Sequence, residues 1–203
     1  MARYNRKDHL HQKAKQEGKR SRAAYKLDEV QKQFGLLSKG QRVADLGCWP
    51  GGWLEGAARY VGAQGVLAGV DLAEVDPPIT LPNVTTLVGD LEEAATIDRL
   101  LEALGDAPAD VVLSDAAPKL TGVRETDRAN EERLLEAIEA MLPRLLAAGG
   151  SFVVKVLEGP EAQAIVKRIQ QDFGKAKTVK LQSTRKGSTE KYLVARDYRG
   201  AAD

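Results

Sequence analysis

A seven-stranded, mostly parallel β-sheet with helices on both faces and an antiparallel edge strand is the α/β fold this sequence predicts. Three observations predict it. Short runs of consecutive apolar residues, among them VLAGV and FVV, read as strands buried on both faces. Segments of helical period alternate with these runs. A glycine turn, ADLGCWPGGW, follows the first strand, where such sheets place their ligands.

Each element has its own signal. Ser21 can cap a helix over AAYKLDEVQKQF, in which Ala24, Leu27, Val30, Gln31 and Phe34 keep helical spacing and Gly35 ends the run. The strand RVADLG then enters the glycine turn, and a helix is expected over 53–60. Strands VLAGVDL and NVTTLVGD follow, then a helix over 94–104 and the strand ADVVLSD. A long helix is expected over 124–146, next the strand GSFVVKVL, and a helix over 161–173. AKTVKLQS and EKYLVARDY, joined by TRKGST, read as a terminal hairpin.

A chain of 203 residues with 43% hydrophobic content builds one core, so a single domain over 21–197 is expected, with a short tail over 198–203. Residues 1–20 are too polar and charged to pack, and are expected to form a basic arm that is mobile without a partner. The lone Cys48 excludes an internal disulfide. No apolar run is long enough to span a bilayer, and MARYNRKDHLHQK lacks the apolar stretch of a signal peptide, so a cytoplasmic monomer without membrane contact is expected. His9 and His11 lack further ligands, and no metal is expected.

The net charge of +1 conceals a segregation. Residues 1–22 hold eight Lys or Arg against two acidic residues, and residues 164–191 hold the same numbers. The segment between them is acidic. Basic ends suit a polyanion, because phosphate neutralisation is the main sequence-independent term in nucleic-acid affinity, although solvated lysine-rich faces read the same way.

The glycine turn narrows the ligand. Gly47, Gly51 and Gly52 let the backbone pass close to a bound molecule. The turn lacks both the G-x-G-x-x-G spacing and the Lys-Ser/Thr of a phosphate loop, so no pyrophosphate or triphosphate cradle is supported. Three carboxylates close successive strands: Asp45, Asp71 beside Leu72, and Asp90 beside Leu91. Asp71 is placed to take ribose hydroxyls and Asp90 an adenine amino group. Acidic strand ends favour a cationic nucleoside, and S-adenosylmethionine, with its sulfonium and ammonium, is the cofactor inferred.

ADLGCWPGGW, GVDL, GDL, LSDAAPKLTG, VVKVLEG and RSRAAYKLDEV together resemble the FtsJ family of ribosomal RNA 2′-O-ribose methyltransferases, across residues 20–197. The resemblance implies the Rossmann-like fold of S-adenosylmethionine-dependent methyltransferases. It implies methylation of a ribose in RNA, with a uridine of large-subunit (23S) ribosomal RNA as the acceptor. Matching its motifs places a catalytic tetrad at Lys26, Asp115, Lys155 and Glu190. It also places Gly51, Trp53, Asp71, Asp90 and Asp115 at the cofactor.

The chemistry suits these residue types. A ribose hydroxyl is a weak nucleophile that must lose its proton, and methyl transfer depends on positioning. Lys155, a charge inside the apolar strand VVKVL, is the candidate general base when its amine is neutral. Asp115 then orients it, while Lys26 and Glu190 hold the ribose. Other readings stand beside these: Asp115 as a turn cap before Pro118, Trp53 as core, Cys48 as a packing residue. The family has small residues where Cys48 and Trp49 stand, and Asn where Lys119 follows SDAAP. Trp49 then bears on packing behind the methionine end of the cofactor, and Lys119 adds positive charge along the RNA path. Acceptors such as transfer RNA or capped messenger RNA, and a non-catalytic RNA-binding ribosome-assembly factor, are the alternative functions.

Overall fold

Helix α1 (Ala23–Phe34) turns Ala24, Lys26, Leu27 and Val30 inward, the spacing of one helical stripe. Gly35 ends it in the left-handed conformation at φ 62°, and its N–H closes on the Gln31 carbonyl. Arg22 occupies the N-cap position expected for Ser21, whose hydroxyl instead accepts the Ala23 N–H at 3.2 Å. The computed structural model describes residues 14, 16–118, 121–157, 159–184 and 187–200. Arm residues 1–13 with His9 and His11, Lys119 and residues 201–203 lie outside them.

After α1 come β1 (Arg42–Leu46), α2 (Gly52–Val61), β2 (Val66–Asp71), β3 (Val84–Val88), α3 (Ala94–Ala103) and β4 (Ala109–Ser114). Then follow α4 (Arg124–Leu145), β5 (Leu146–Val156), α5 (Pro160–Gln171), β6 (Phe173–Val179) and β7 (Lys191–Tyr198). The seven strands form one sheet in the order β3-β2-β1-β4-β5-β7-β6. Neighbours from β3 to β5 pair in parallel, whereas β7 pairs antiparallel with both β5 and β6. The antiparallel strand therefore lies one place in from the margin, with β6 outside it.

Strand parity divides the molecule into two cores. Ala44, Val112, Phe152 and Val154 pack with α3, α4 and α5, including Leu100, Ile138 and Ile165. Val43, Val111, Leu113, Val153, Tyr192 and Val194 pack on the other face with Leu27 and Val30 of α1 and Leu54 and Ala57 of α2. Because side chains alternate along a strand, Asp45, Asp115 and Lys155 belong to this second face. Lys26 arrives on the helix that covers it. The ridge of acid and base residues at the strand ends is thus a consequence of period two meeting period 3.6.

The domain starts earlier than residue 21. Arg20 donates to Glu55 Oε1 at 2.6 Å and to the carbonyls of Pro77 and Pro78. Lys19 meets Asp28 at 3.1 Å and lies 3.9 Å from the centre of the Tyr25 ring. These partners absorb the charges that the composition assigned to a solvated arm. No helix among the described residues is long and apolar enough to cross a membrane.

Candidate active site

Asp115, just beyond the end of β4, is the hub of a buried polar cluster. Its backbone carbonyl accepts from Lys155 Nζ at 2.5 Å, and its Oδ1 lies 3.3 Å from the same nitrogen. Lys26 Nζ reaches Asp115 Oδ1 at 3.3 Å and Glu190 Oε1 at 2.9 Å. The lysine side chains are only 7% and 9% exposed, and an unpaired charge there would be costly. The structure brings together all four residues of the tetrad expected from the sequence.

A fifth member was not anticipated. The Tyr192 hydroxyl donates to Asp115 Oδ1 at 2.6 Å and accepts from Lys26 Nζ at 2.7 Å. Its ring is fully buried and stacks obliquely on Trp53, with centroids 6.0 Å apart. Burial first, then the Asp115 and Glu190 carboxylates, pushes the phenol far above its ordinary value, so it remains a proton donor. A signal was present in the sequence: Tyr192 stands two residues after Glu190, the spacing that repeats a face along a strand.

Glu131 was also missed. It is buried on α4, four residues before buried Leu135, and accepts the Leu157 N–H at 2.5 Å just past the Lys155 strand. Burial raises its pKa; the Leu157 hydrogen bond and the Lys155 charge oppose that rise. A carboxylate on the apolar stripe of α4 is the signal that marks it.

Beside the cluster lies an open cavity of about 520 Å³, lined by Gly47, Trp49, Asp71, Leu72, Asp90, Leu91 and Asp115, with Asn130, Arg133 and Leu134 of α4 opposite. Asp71 is fixed by the N–H groups of Trp49 and Ala73, each at 3.0 Å. Asp90 Oδ1 accepts the Glu92 N–H at 2.9 Å. Gly47 is required here: its φ is +79°, and a Cβ would stand 2.4 Å from that of Ala116.

The remaining expected cofactor residues are placed differently. Asp45, Gly52 and Trp53 line a separate recess of about 20 Å³, shared with Gly47, Trp49 and Asp115. Trp53 is 2% exposed, and its indole N–H donates to the Ala23 carbonyl at 2.8 Å, so its side chain packs as core. Gly51, at φ +96°, faces Val75, Ile79 and Arg20 and lines neither space. Cys48 is buried, and burial followed by the Asp45 and Asp71 charges pushes its thiol far up, which fits a packing residue.

Asp45 is 1% exposed, and among the described residues neither carboxylate oxygen has a hydrogen-bond partner. Burial, with Asp115 and Asp71 adding to it, raises its pKa well above the usual carboxylate range. A recess of about 20 Å³ holds one group the size of a water molecule. The donor set it lacks is a small cation with N–H groups, so the residues present fit the ammonium of an amino-acid-bearing cofactor.

Residues 19–198 match the FtsJ-like methyltransferase family. The chain is 39% identical over 194 residues to ribosomal RNA large subunit methyltransferase E of Methanothermobacter thermautotrophicus, covering 96% of this chain and 91% of the relative. It is 40% identical over 187 residues to the protein of the same name from Pseudomonas aeruginosa, covering 92% and 89%. Among solved structures, a Plasmodium falciparum protein provisionally named a ribosomal RNA methyltransferase superposes with a TM-score of 0.77 at 29% identity, covering 89% of this chain and 99% of that one. Aeropyrum pernix fibrillarin, solved with S-adenosyl-L-methionine bound, shares the fold at a TM-score of 0.56 and 14% identity, covering 79% and 68%. Family match, fold and relatives agree: this chain belongs to the FtsJ-like methyltransferase family and is a methyltransferase.

Proposed function

We infer that the protein uses S-adenosylmethionine to methylate a ribose 2′-hydroxyl in RNA, with a uridine of large-subunit ribosomal RNA as the acceptor. The observation that carries this reading is the convergence of Lys26, Lys155 and Tyr192 on Asp115, at the edge of the cavity floored by Asp71 and Asp90. The names of the relatives support ribosomal RNA as the substrate class.

Asp45 would hold the cofactor ammonium, Asp71 the ribose hydroxyls, and Asp90 the adenine edge. When bound, the cofactor would supply an electrophilic methyl carbon on a positively charged sulfur, whose leaving group, once the methyl passes to the hydroxyl oxygen, would be a neutral thioether. Lys155 takes the hydroxyl proton. Its Nζ donates to the Asp115 backbone carbonyl at 2.5 Å and lies 3.3 Å from Asp115 Oδ1, contacts that hold the amine in place. Lys26, tied to Asp115, Glu190 and Tyr192, keeps the carboxylate in place. Exposed Lys167, Lys175, Lys177 and Lys180 suit the phosphate backbone.

Radiolabelled S-adenosylmethionine offered with large ribosomal subunits, free large-subunit RNA and transfer RNA tests the proposal. The expected product after nuclease digestion is 2′-O-methyluridine from the ribosomal samples. Label in a base, or in none of the RNAs, would refute it; label in transfer RNA alone would move the acceptor.

A further inference from the structure

Trp49 is 57% exposed, although its neighbours Cys48, Gly51 and Gly52 are buried. Tryptophan carries more apolar area than any other side chain and is mostly buried in folded proteins, so an exposed one beside a cavity needs a reason. Its backbone cannot swing away. The Trp49 N–H is held by Asp71 Oδ2 at 3.0 Å, the preceding Cys48 N–H by the Val70 carbonyl at 3.0 Å, and the Gly51 N–H closes the turn on the Cys48 carbonyl at 2.6 Å. Among the described residues the indole has neither a hydrogen bond nor a ring partner.

The position is informative. Trp49, with Gly47 and Asp115, lines both the 520 Å³ cavity and the small recess that contains Asp45. Leu72, 72% exposed, extends the apolar wall next to Asp71. An exposed aromatic face beside the Asp71, Asp115 and Asp45 carboxylates matches a ligand that is flat and cationic in one molecule, since aromatic faces attract both stacked rings and positive charge.

We propose that Trp49 is a cofactor-positioning residue of this chain: its indole packs against the adenosyl group of bound S-adenosylmethionine and is covered by it. The inference rests on the methyltransferase reading of the cavity. It assigns the bulky residue in the turn a binding role that a small residue there could not perform. The competing occupant is an RNA base stacked on the same face.

Trp49 and Trp53 are the only tryptophans, and Trp53 is buried, so acrylamide quenching of intrinsic fluorescence reports chiefly on Trp49. Saturating S-adenosylhomocysteine, with binding followed independently by calorimetry, is expected to shift the wild-type emission to the blue and suppress quenching. Neither change should occur in Trp49→Phe. Calorimetry should find Trp49→Ala weakened by about tenfold and Trp49→Phe by less than about threefold. Calorimetric binding that leaves Trp49 fully quenchable, or equal affinity in Trp49→Ala, overturns the proposal. So does protection by RNA alone, which would make the face an RNA platform. Absence of any binding heat in folded wild-type protein overturns the cofactor reading itself, and this inference with it.

Discussion

The Tyr192 hydroxyl stands 2.6 Å from Asp115 Oδ1, so the carboxylate that contacts both lysines is also tied to the last strand of the chain. Asp115 follows β4, and Tyr192 lies on β7 opposite Lys155 of β5. Together with the Lys155 and Lys26 contacts to the same residue, this bond gathers β4, β5, β7 and α1 around the point where a hydroxyl would be activated. Tyr192→Phe keeps the ring packed on Trp53 but deprives Asp115 of a donor. It is expected to cost about 1–3 kcal/mol, or roughly 2–4 °C of melting temperature per kcal/mol. Calorimetric melting checks this, and a parallel fall in turnover at unchanged cofactor affinity would show that the bond positions Asp115.

Lys155→Met leaves an apolar side chain of similar length and removes the amine. Methyl transfer at saturating cofactor is expected to fall by roughly 10²–10⁴-fold, the usual contribution of a positioned proton acceptor. Cofactor affinity, measured by calorimetry, should change by less than about threefold, because Lys155 does not line the cavity. A rate near wild type would remove Lys155 from the mechanism.

Asp45 makes the ligand-free protein sensitive to pH. Its carboxyl titrates well above the ordinary 3.8, so the folded chain keeps a proton that the unfolded chain has already lost. The unfolded state binds fewer protons in that window, and stability therefore falls as pH rises from the ordinary value through the raised one. Asp45→Asn should remove this slope. Melting curves of the two proteins are expected to meet near the ordinary carboxylate value and diverge above it, with the variant the more stable of the two at neutral pH. The same variant should bind S-adenosylmethionine at least about tenfold more weakly, having lost a partner for the ammonium. Parallel melting curves across the range would contradict the assignment.

Gly47→Ala combines two penalties. A side chain at φ +79° is strained, and its Cβ would meet the Ala116 Cβ at 2.4 Å, which forces the turn away from the β4 terminus. Destabilisation of about 1–3 kcal/mol is expected, together with loss of measurable cofactor binding. Gly105→Ala, also at positive φ but with open space around it, is the control and should leave cofactor binding intact.

Much of this architecture was legible because it is written in local periods. The helix AAYKLDEVQKQF, the strands RVADL and FVVKV and the glycine turn are where their patterns put them. The gathering of Lys26, Asp115, Lys155 and Glu190 came from motif resemblance, since nothing local links residues 89 positions apart. Gly51, which lines neither space, diverged from expectation for a different reason. Glycine-rich turns fix where the chain passes, but which face of the turn meets the ligand depends on the segment packed behind it, here Val75, Ile79 and Arg20. Composition likewise assigned Lys19 and Arg20 to solvent, because charge counts carry no information about Asp28 and Glu55 waiting on the domain surface.

The sequence by itself determined the order of strands and helices, the face each side chain takes, and the acidic ends of the first three strands. Only the tertiary structure decided that β7 enters between β5 and β6 and brings Tyr192 to Asp115, that Asp45 lies in a recess apart from the main cavity, and that exposed Trp49 borders both. The physical reason is range. Side-chain alternation and helical period are properties of neighbouring residues, whereas strand order, cavity shape and the burial of a charge are set by elements that meet only when the whole sheet has closed.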